Sequence, residues 1–223
     1  MAELTLFSAR ACPFAHRTRL VLAEKRLDFE LVEIDLQQKP TWFSTVSNYG
    51  KVPALQHKQH RIVESAIVNE YLDEVFPEPR LLPADPGTRA VARIWIDYAN
   101  THFVPAWGAL LRATSETVEP ARNALFESLA YLEQGLQKTS GQGPFWFGEQ
   151  PGLVDLTFYP WFERWAALEH YRGPLSIVKF ERLQRWREAL AARTSVKEIQ
   201  NPAQFYVERY AKYAAPAAQA VAV

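Results

Sequence analysis

At 223 residues, with 25 basic and 25 acidic side chains, the chain has no formal net charge, which argues against a nucleic-acid footprint or a polybasic membrane anchor. It is long enough for two modest domains without disulfide staples, and its single cysteine cannot form an internal one, so a reducing, cytoplasmic setting is expected. No apolar run approaches the roughly 20 residues of a bilayer span and no signal-peptide pattern is present, so a soluble protein with no membrane or nucleic-acid partner is expected.

Alternating apolar residues predict a strand over 3–7, and a helical pattern then runs over 13–25. Proline is favoured at the first helical position, because its missing N–H would have no intrahelical partner there. Pro13 therefore places Cys12 at the N-cap. Free backbone N–H groups and the positive end of the helix dipole stabilise an anion at that point, so a thiol should ionise more readily. Arg10, His16, Arg17 and Arg19 add positive charge nearby. A lone cysteine is commonly a buried small hydrophobe, but the strand-Cys-Pro-helix context points to a reactive thiol.

A second strand is predicted over 29–34, a short helix or irregular segment over 39–45, and two short strands over 52–56 and 60–63 joined by the polar His57-Lys58-Gln59. Glu64 and Ser65 then open a helix whose Ile67, Val68, Tyr71, Leu72 and Val75 recur at helical spacing. The order βαβαββα is a small mixed sheet flanked by helices, the thioredoxin-like arrangement. His57-x-x-His60 is the one pair near metal-ligand spacing, and a hairpin turn should leave it solvent-exposed, so no metal site is expected.

Four prolines fall within residues 76–86, which rules out a regular element and places a domain boundary there. The expected organisation is a sheet domain over 1–76, a linker over 77–87, an all-α domain of five or six helices over 88–213, and a flexible Ala-rich tail over 214–223. Helix breaks are expected near Glu119-Pro120, 140–144, 150–152, Gly173-Pro174 and Asn201-Pro202.

Thioredoxin-like redox proteins often carry Cys-x-x-Cys, but the fourth position here is Ala15. A mixed disulfide on Cys12 must then be released by an external thiol, in a reducing compartment glutathione. Two features could hold such a peptide. Gly50-Lys51-Val52-Pro53 is either an ordinary strand-opening proline or, with a cis bond, a turn that offers the Val52 backbone to an extended ligand. Glu64-Ser65 is either a plain helix cap or a site where helix N–H groups take a carboxylate and Glu64 takes an ammonium.

With Cys12-Pro13-Phe14-Ala15, Lys51-Val52-Pro53, Glu64-Ser65 and the later Pro160-Trp161-Phe162-Glu163-Arg164 in order, the chain resembles the glutathione transferases, and among them the cysteine-dependent omega-type class. The resemblance implies that Cys12 is the nucleophile, with Phe14 beside it and glutathione as co-substrate. Lys39 would meet the glycyl carboxylate, Val52 beside Lys51 would pair with the cysteinyl backbone, Pro53 would be cis, and Glu64 and Ser65 would hold the γ-glutamyl end. Arg164, Trp165 and Tyr210 would line a second, hydrophobic substrate site, and the protein would be a homodimer packed through the helices after Ser65 and Thr88.

Two positions depart from that pattern. His16 stands where omega-type chains often have Glu and is expected to be a solvated helix residue. Gly152 replaces the usual Ser or Thr of the Gly152-Leu153-Val154-Asp155 box, so Asp155 should cap the helix with help from glycine's permissive φ. The activity implied is a glutathione-dependent thiol transferase or dehydroascorbate-reductase-like enzyme. Alternatives are a glutathione lyase or conjugating transferase acting on aromatic electrophiles, and a starvation-protein-like partner of RNA polymerase.

Overall fold

A computed structural model describes residues 3–214; most of the predicted tail lies outside the described residues. The first part contains β1 (Leu4–Ser8), α1 (Pro13–Glu24), β2 (Glu30–Glu33), β3 (Ala54–His57), β4 (His60–Val63) and α2 (Ser65–Val75). Strand order is β2-β1-β3-β4, with β1 and β2 parallel and the other pairings antiparallel. This is the expected thioredoxin-like sheet. The segment expected as a short helix or irregular stretch over 39–45 is a 3-10 turn, Thr41–Thr45. Its Ser44 and Thr45 hydroxyls donate back to the Thr41 and Trp42 carbonyls, a local bonding mode that competes with helix propagation.

The second part is helical: α3 (Pro86–Tyr98), a π-helical segment (Ala99–Phe103), α4 (Val104–Arg112), α5 (Val118–Thr139), α6 (Leu153–Glu163), α7 (Trp165–Arg172), α8 (Glu181–Ala191), α9 (Thr194–Ile199) and α10 (Ala203–Tyr210). Eight α-helices stand where five or six were expected. The extra division between α6 and α7 falls at Arg164, whose φ of −88° and ψ of 4° interrupt the helix without any Gly or Pro to announce it. Pro120 sits inside the first turn of α5 rather than before it, where its missing N–H costs nothing. Helix α3 begins at Pro86, two residues before the expected boundary, because the Asp85 side chain accepts from the Thr88 N–H at 2.7 Å.

The proline-rich connection is fixed to both parts. Lys25 Nζ donates to the carbonyls of Phe76 and Pro79 and pairs with Asp73, each at 2.7 Å. Asp73 in turn accepts from the N–H groups of Leu81 and Leu82, and Leu81 O accepts from Leu153 N of α6 at 2.8 Å. One hydrophobic core accordingly runs from Leu6, Leu20 and Leu72 into Trp95, Leu129, Phe158 and Trp186. A smaller cluster of Phe7, Ala15, Ile34, Phe43, Val52 and Ala54 lies against Cys12.

Gly152 is extended at φ −128°, a conformation open to any residue, so the expected role for a permissive φ does not hold. Space explains the glycine instead: a Cβ there would stand 2.6 Å from the Leu81 carbonyl oxygen. Asp155 does cap, accepting from Gly152 N at 2.7 Å, Trp146 N at 3.0 Å and Trp186 Nε1 at 2.7 Å.

Candidate active site

Cys12 occupies the N-cap of α1 with extended backbone, followed by Pro13 at the first helical position. Cys12 as a residue is half-buried, and its sulfur lies 3.8 Å from the Val52 carbonyl oxygen. Backbone N–H groups of Ala15 and Phe14 face it, and Arg164 and Arg19 add positive potential. Burial nevertheless outweighs all of these and pushes the thiol up. The sequence expectation of an easily ionised thiol is thus corrected in sign: the helix-start donors are present, but desolvation wins.

The Val52–Pro53 peptide is cis, as the resemblance implied. Its loop is tied by Ser47, whose buried hydroxyl donates to Lys51 O at 2.9 Å and accepts from Lys51 N at 3.1 Å. Lys51 itself is exposed, its Nζ 5.9 Å from the Tyr49 ring centre. Exposed Lys39 reaches the same loop: a Cβ on Gly50 would stand 3.7 Å from Lys39 Nζ. Phe14, 37% exposed, meets Trp161 edge-on at 5.2 Å.

Across from this loop, exposed Glu64 has φ +68° and ψ 114°, outside the regions open to L residues, and Ser65 begins α2. Beneath Ser65 lies a group that sequence reasoning did not assign. Arg17 is fully buried, donating from Nη1 to Ser65 Oγ at 3.3 Å and to Asn100 Oδ1 at 2.7 Å, and from Nε to Thr157 O at 2.9 Å. Its guanidinium also lies 4.5 Å from the Trp161 ring centre and 5.0 Å from that of Phe14. Burial lowers it to about 9. The signal was available in the helical spacing, since Arg17 falls three residues after Phe14 on the same face of α1. Asn100, in the π-helical segment, carried none.

Of the predicted second-substrate residues, the structure brings Arg164 and Tyr210 together and leaves Trp165 apart, and all three are buried. Trp165 is core: it stacks on Phe162 and donates from Nε1 to Leu175 O at 3.2 Å. Arg164 is fully buried behind the Cys12 turn. Tyr210 is buried against Trp107 and lies within hydrogen-bonding reach of Arg164; burial raises its phenol. His16 is not solvated but fully buried, and burial, with Arg164 and Arg19 nearby, holds it well below its ordinary value. His57 also departs from expectation. It is buried, with Nδ1 at 2.7 Å from Tyr71 Oη and Nε2 at 2.9 Å from Glu3, while His60 stays exposed. Among the described residues no group of three or more His, Cys, Asp or Glu could hold a metal ion, and no helix is long and apolar enough to cross a membrane.

A thioredoxin-like sheet with a lone cysteine at a helix start, a cis-proline loop facing it, and an all-helical second part define a glutathione transferase architecture. Sequence models for the N-terminal and C-terminal domains of glutathione S-transferase match residues 2–74 and 105–189, and the chain belongs to that family. It is 36% identical over 169 residues to glutathione S-transferase omega-1 of Mus musculus, covering 75% of this chain and 69% of that one. Among solved structures it is similar to the tau class enzyme of Mangifera indica, with TM-score 0.88 and 30% identity over 95% of this chain and 99% of that one. Glutathione transferase omega 3C of Trametes versicolor matches with TM-score 0.86 and 29% identity, over 96% and 91% of the two chains.

Proposed function

We propose that the chain is a glutathione-dependent thiol transferase or reductase in which Cys12 forms and resolves a mixed disulfide with glutathione. The observation that carries this reading is a half-buried cysteine, the only one in the sequence, at a helix start facing the Val52 carbonyl. The Cys12 thiolate attacks the glutathionyl sulfur of a disulfide, forming Cys12–S–S–glutathione and expelling the other thiolate, which takes a proton from solvent. A second glutathione thiolate then attacks the glutathionyl sulfur, releasing oxidised glutathione and restoring the Cys12 thiolate. No internal thiol can perform the second step.

In this reading the Val52 backbone pairs with the cysteinyl unit, Lys51 and cis Pro53 shape its turn, and Lys39 takes the glycyl carboxylate. Glu64 accepts from the γ-glutamyl ammonium. Ser65, with Arg17 behind it and the α2 N-terminus, takes the γ-glutamyl carboxylate. Phe14 borders the thiol. The burial of Arg164, Trp165 and Tyr210 removes all three from an open second-substrate surface. The protein works as a homodimer in the cytoplasm; Ile67 on α2 and Ile94 on α3, 59% and 63% exposed, support pairing through those helices.

The test is an intact-mass spectrum after incubation with oxidised glutathione, repeated after excess reduced glutathione. One reversible glutathione adduct, absent in Cys12→Ser, is expected. A folded protein that forms no adduct would overturn the reading.

A further inference from the structure

The turn that carries Cys12 is held from outside. Within it, Cys12 N donates to Ala9 O at 2.8 Å. Arg19 of α1 donates from Nη2 to Arg10 O at 3.0 Å, and Arg164, from the junction of α6 and α7, donates from Nη2 to Ala11 O at 3.3 Å. Arg10 is fixed in turn, its N–H bonded to Glu33 and its Nε to Asn201 Oδ1 at 2.5 Å. The two carbonyls before the nucleophile are therefore each bound by a buried guanidinium, one from each half of the molecule.

Besides Tyr210, within whose reach it lies, Arg164 is aimed by Pro160, His16 and Tyr206. Its Nη1 donates to Pro160 O at 2.7 Å and to His16 Nδ1 at 3.0 Å, and its guanidinium carbon lies 4.1 Å from the Tyr206 ring centre. A guanidinium only donates, so His16 Nδ1 must be the acceptor and the imidazole proton resides on Nε2. That nitrogen faces Glu163 Oε2 at 3.7 Å, while Glu163 Oε1 accepts from Tyr206 Oη at 2.5 Å and Asn201 N at 3.3 Å. Neutral imidazole is the state this arrangement needs: a protonated ring could not accept from Arg164 and would add a third buried cation beside Arg164 and Arg19.

We propose that Arg164 is a positioning residue for Cys12, holding the backbone of its turn from the helical domain, and that neutral His16 fixes the aim of Arg164. The interruption between α6 and α7 then has a purpose, since it delivers this side chain to the turn. His16 has one as well, as the hydrogen-bond acceptor one helical turn beyond the nucleophile.

The inference rests on Cys12 being the reactive group and is read without glutathione, through the pH dependence of Cys12 alkylation by iodoacetamide. Arg164→Met removes both the hydrogen bond and the charge. It is expected to move the profile to higher pH and slow alkylation at neutral pH about tenfold, the effect of one pKa unit. In turnover its kcat should fall with KM for glutathione within about twofold, because no assigned glutathione contact is touched. Arg164→Lys should recover part of the loss. His16→Leu, which removes the acceptor, should shift the profile the same way, whereas His16→Asn, which retains one, should stay near wild type. A cooperatively folded Arg164→Met with the wild-type profile overturns the inference. If that variant does not fold, a wild-type profile in His16→Leu does so. Those results leave the proposed function standing, whereas wild-type Cys12 that alkylates normally yet forms no glutathione adduct overturns the function alone.

Discussion

Glu64 is held where an L residue is strained, at φ +68°, and it is one of the groups to which glutathione recognition is assigned. Positions of this kind cost on the order of 1–3 kcal/mol and persist where the geometry serves a ligand. Substituting glycine removes the steric conflict together with the carboxylate. Glu64→Gly is therefore expected to raise stability by about 1 kcal/mol while increasing KM for glutathione severalfold. Urea unfolding reads the first effect and steady-state kinetics the second. A variant that is both less stable and unchanged in KM would refute the assignment. Arg17 makes the complementary case, since its guanidinium is committed to Ser65, Asn100 and Thr157 and cannot be removed without leaving those partners unpaired. Arg17→Met should weaken glutathione binding and also cost about 2–4 kcal/mol of stability, read in the same two assays. Loss of stability with unchanged KM would reduce Arg17 to a structural role.

At the level of elements, the chain punctuates itself with Gly and Pro wherever a break depends on backbone chemistry. Pro13 and Gly173 could accordingly be read in advance, as could the cysteine at the start of α1, whereas Pro86, counted with the linker, opens α3. Arg164 and the Ala192-Arg193 junction between α8 and α9 contain neither residue, and those breaks come from what the side chains reach in three dimensions. Trp165 and His16 were misplaced for the same reason: local pattern does not tell a wall of the active site from the core behind it. Gly152 shows how tertiary contact overrides a local rule. The usual Ser would gain a capping hydroxyl, worth about 1 kcal/mol, but its Cβ would meet the Leu81 carbonyl at 2.6 Å. Backbone cannot yield there without pulling the linker from α6, where Leu153 N binds that same carbonyl. Both Gly152→Ala and Gly152→Ser should destabilise by about 1–3 kcal/mol in chemical denaturation. If Gly152→Ser instead stabilised, the linker would be shown to give way.

Over the whole molecule, buried titratable groups set opposing slopes of stability against pH. Asp155 is raised by burial to about 6 from 3.8, and Glu163 is raised too, so the folded chain binds their protons more tightly than the unfolded chain. Their effect is a stability that declines as pH rises toward about 6. His16 acts in reverse. Its folded value lies well below 6.5, with Arg164, Arg19 and Glu163 as the charged groups facing it, so below pH 6.5 the unfolded chain takes up a proton that the folded chain refuses. Stability associated with His16 is therefore full above pH 6.5 and lost progressively below it. Acidification from pH 7.5 to 5.5 crosses that window, so the wild-type Tm should fall through it. His16→Asn removes the titration while keeping an acceptor for Arg164. On acidification over that interval the Tm of the wild-type protein should therefore fall further than that of His16→Asn. Equal changes in Tm for the two proteins would mean that His16 is protonated in the folded state, and then Nδ1 could not accept the Arg164 hydrogen bond on which the aim of that guanidinium depends.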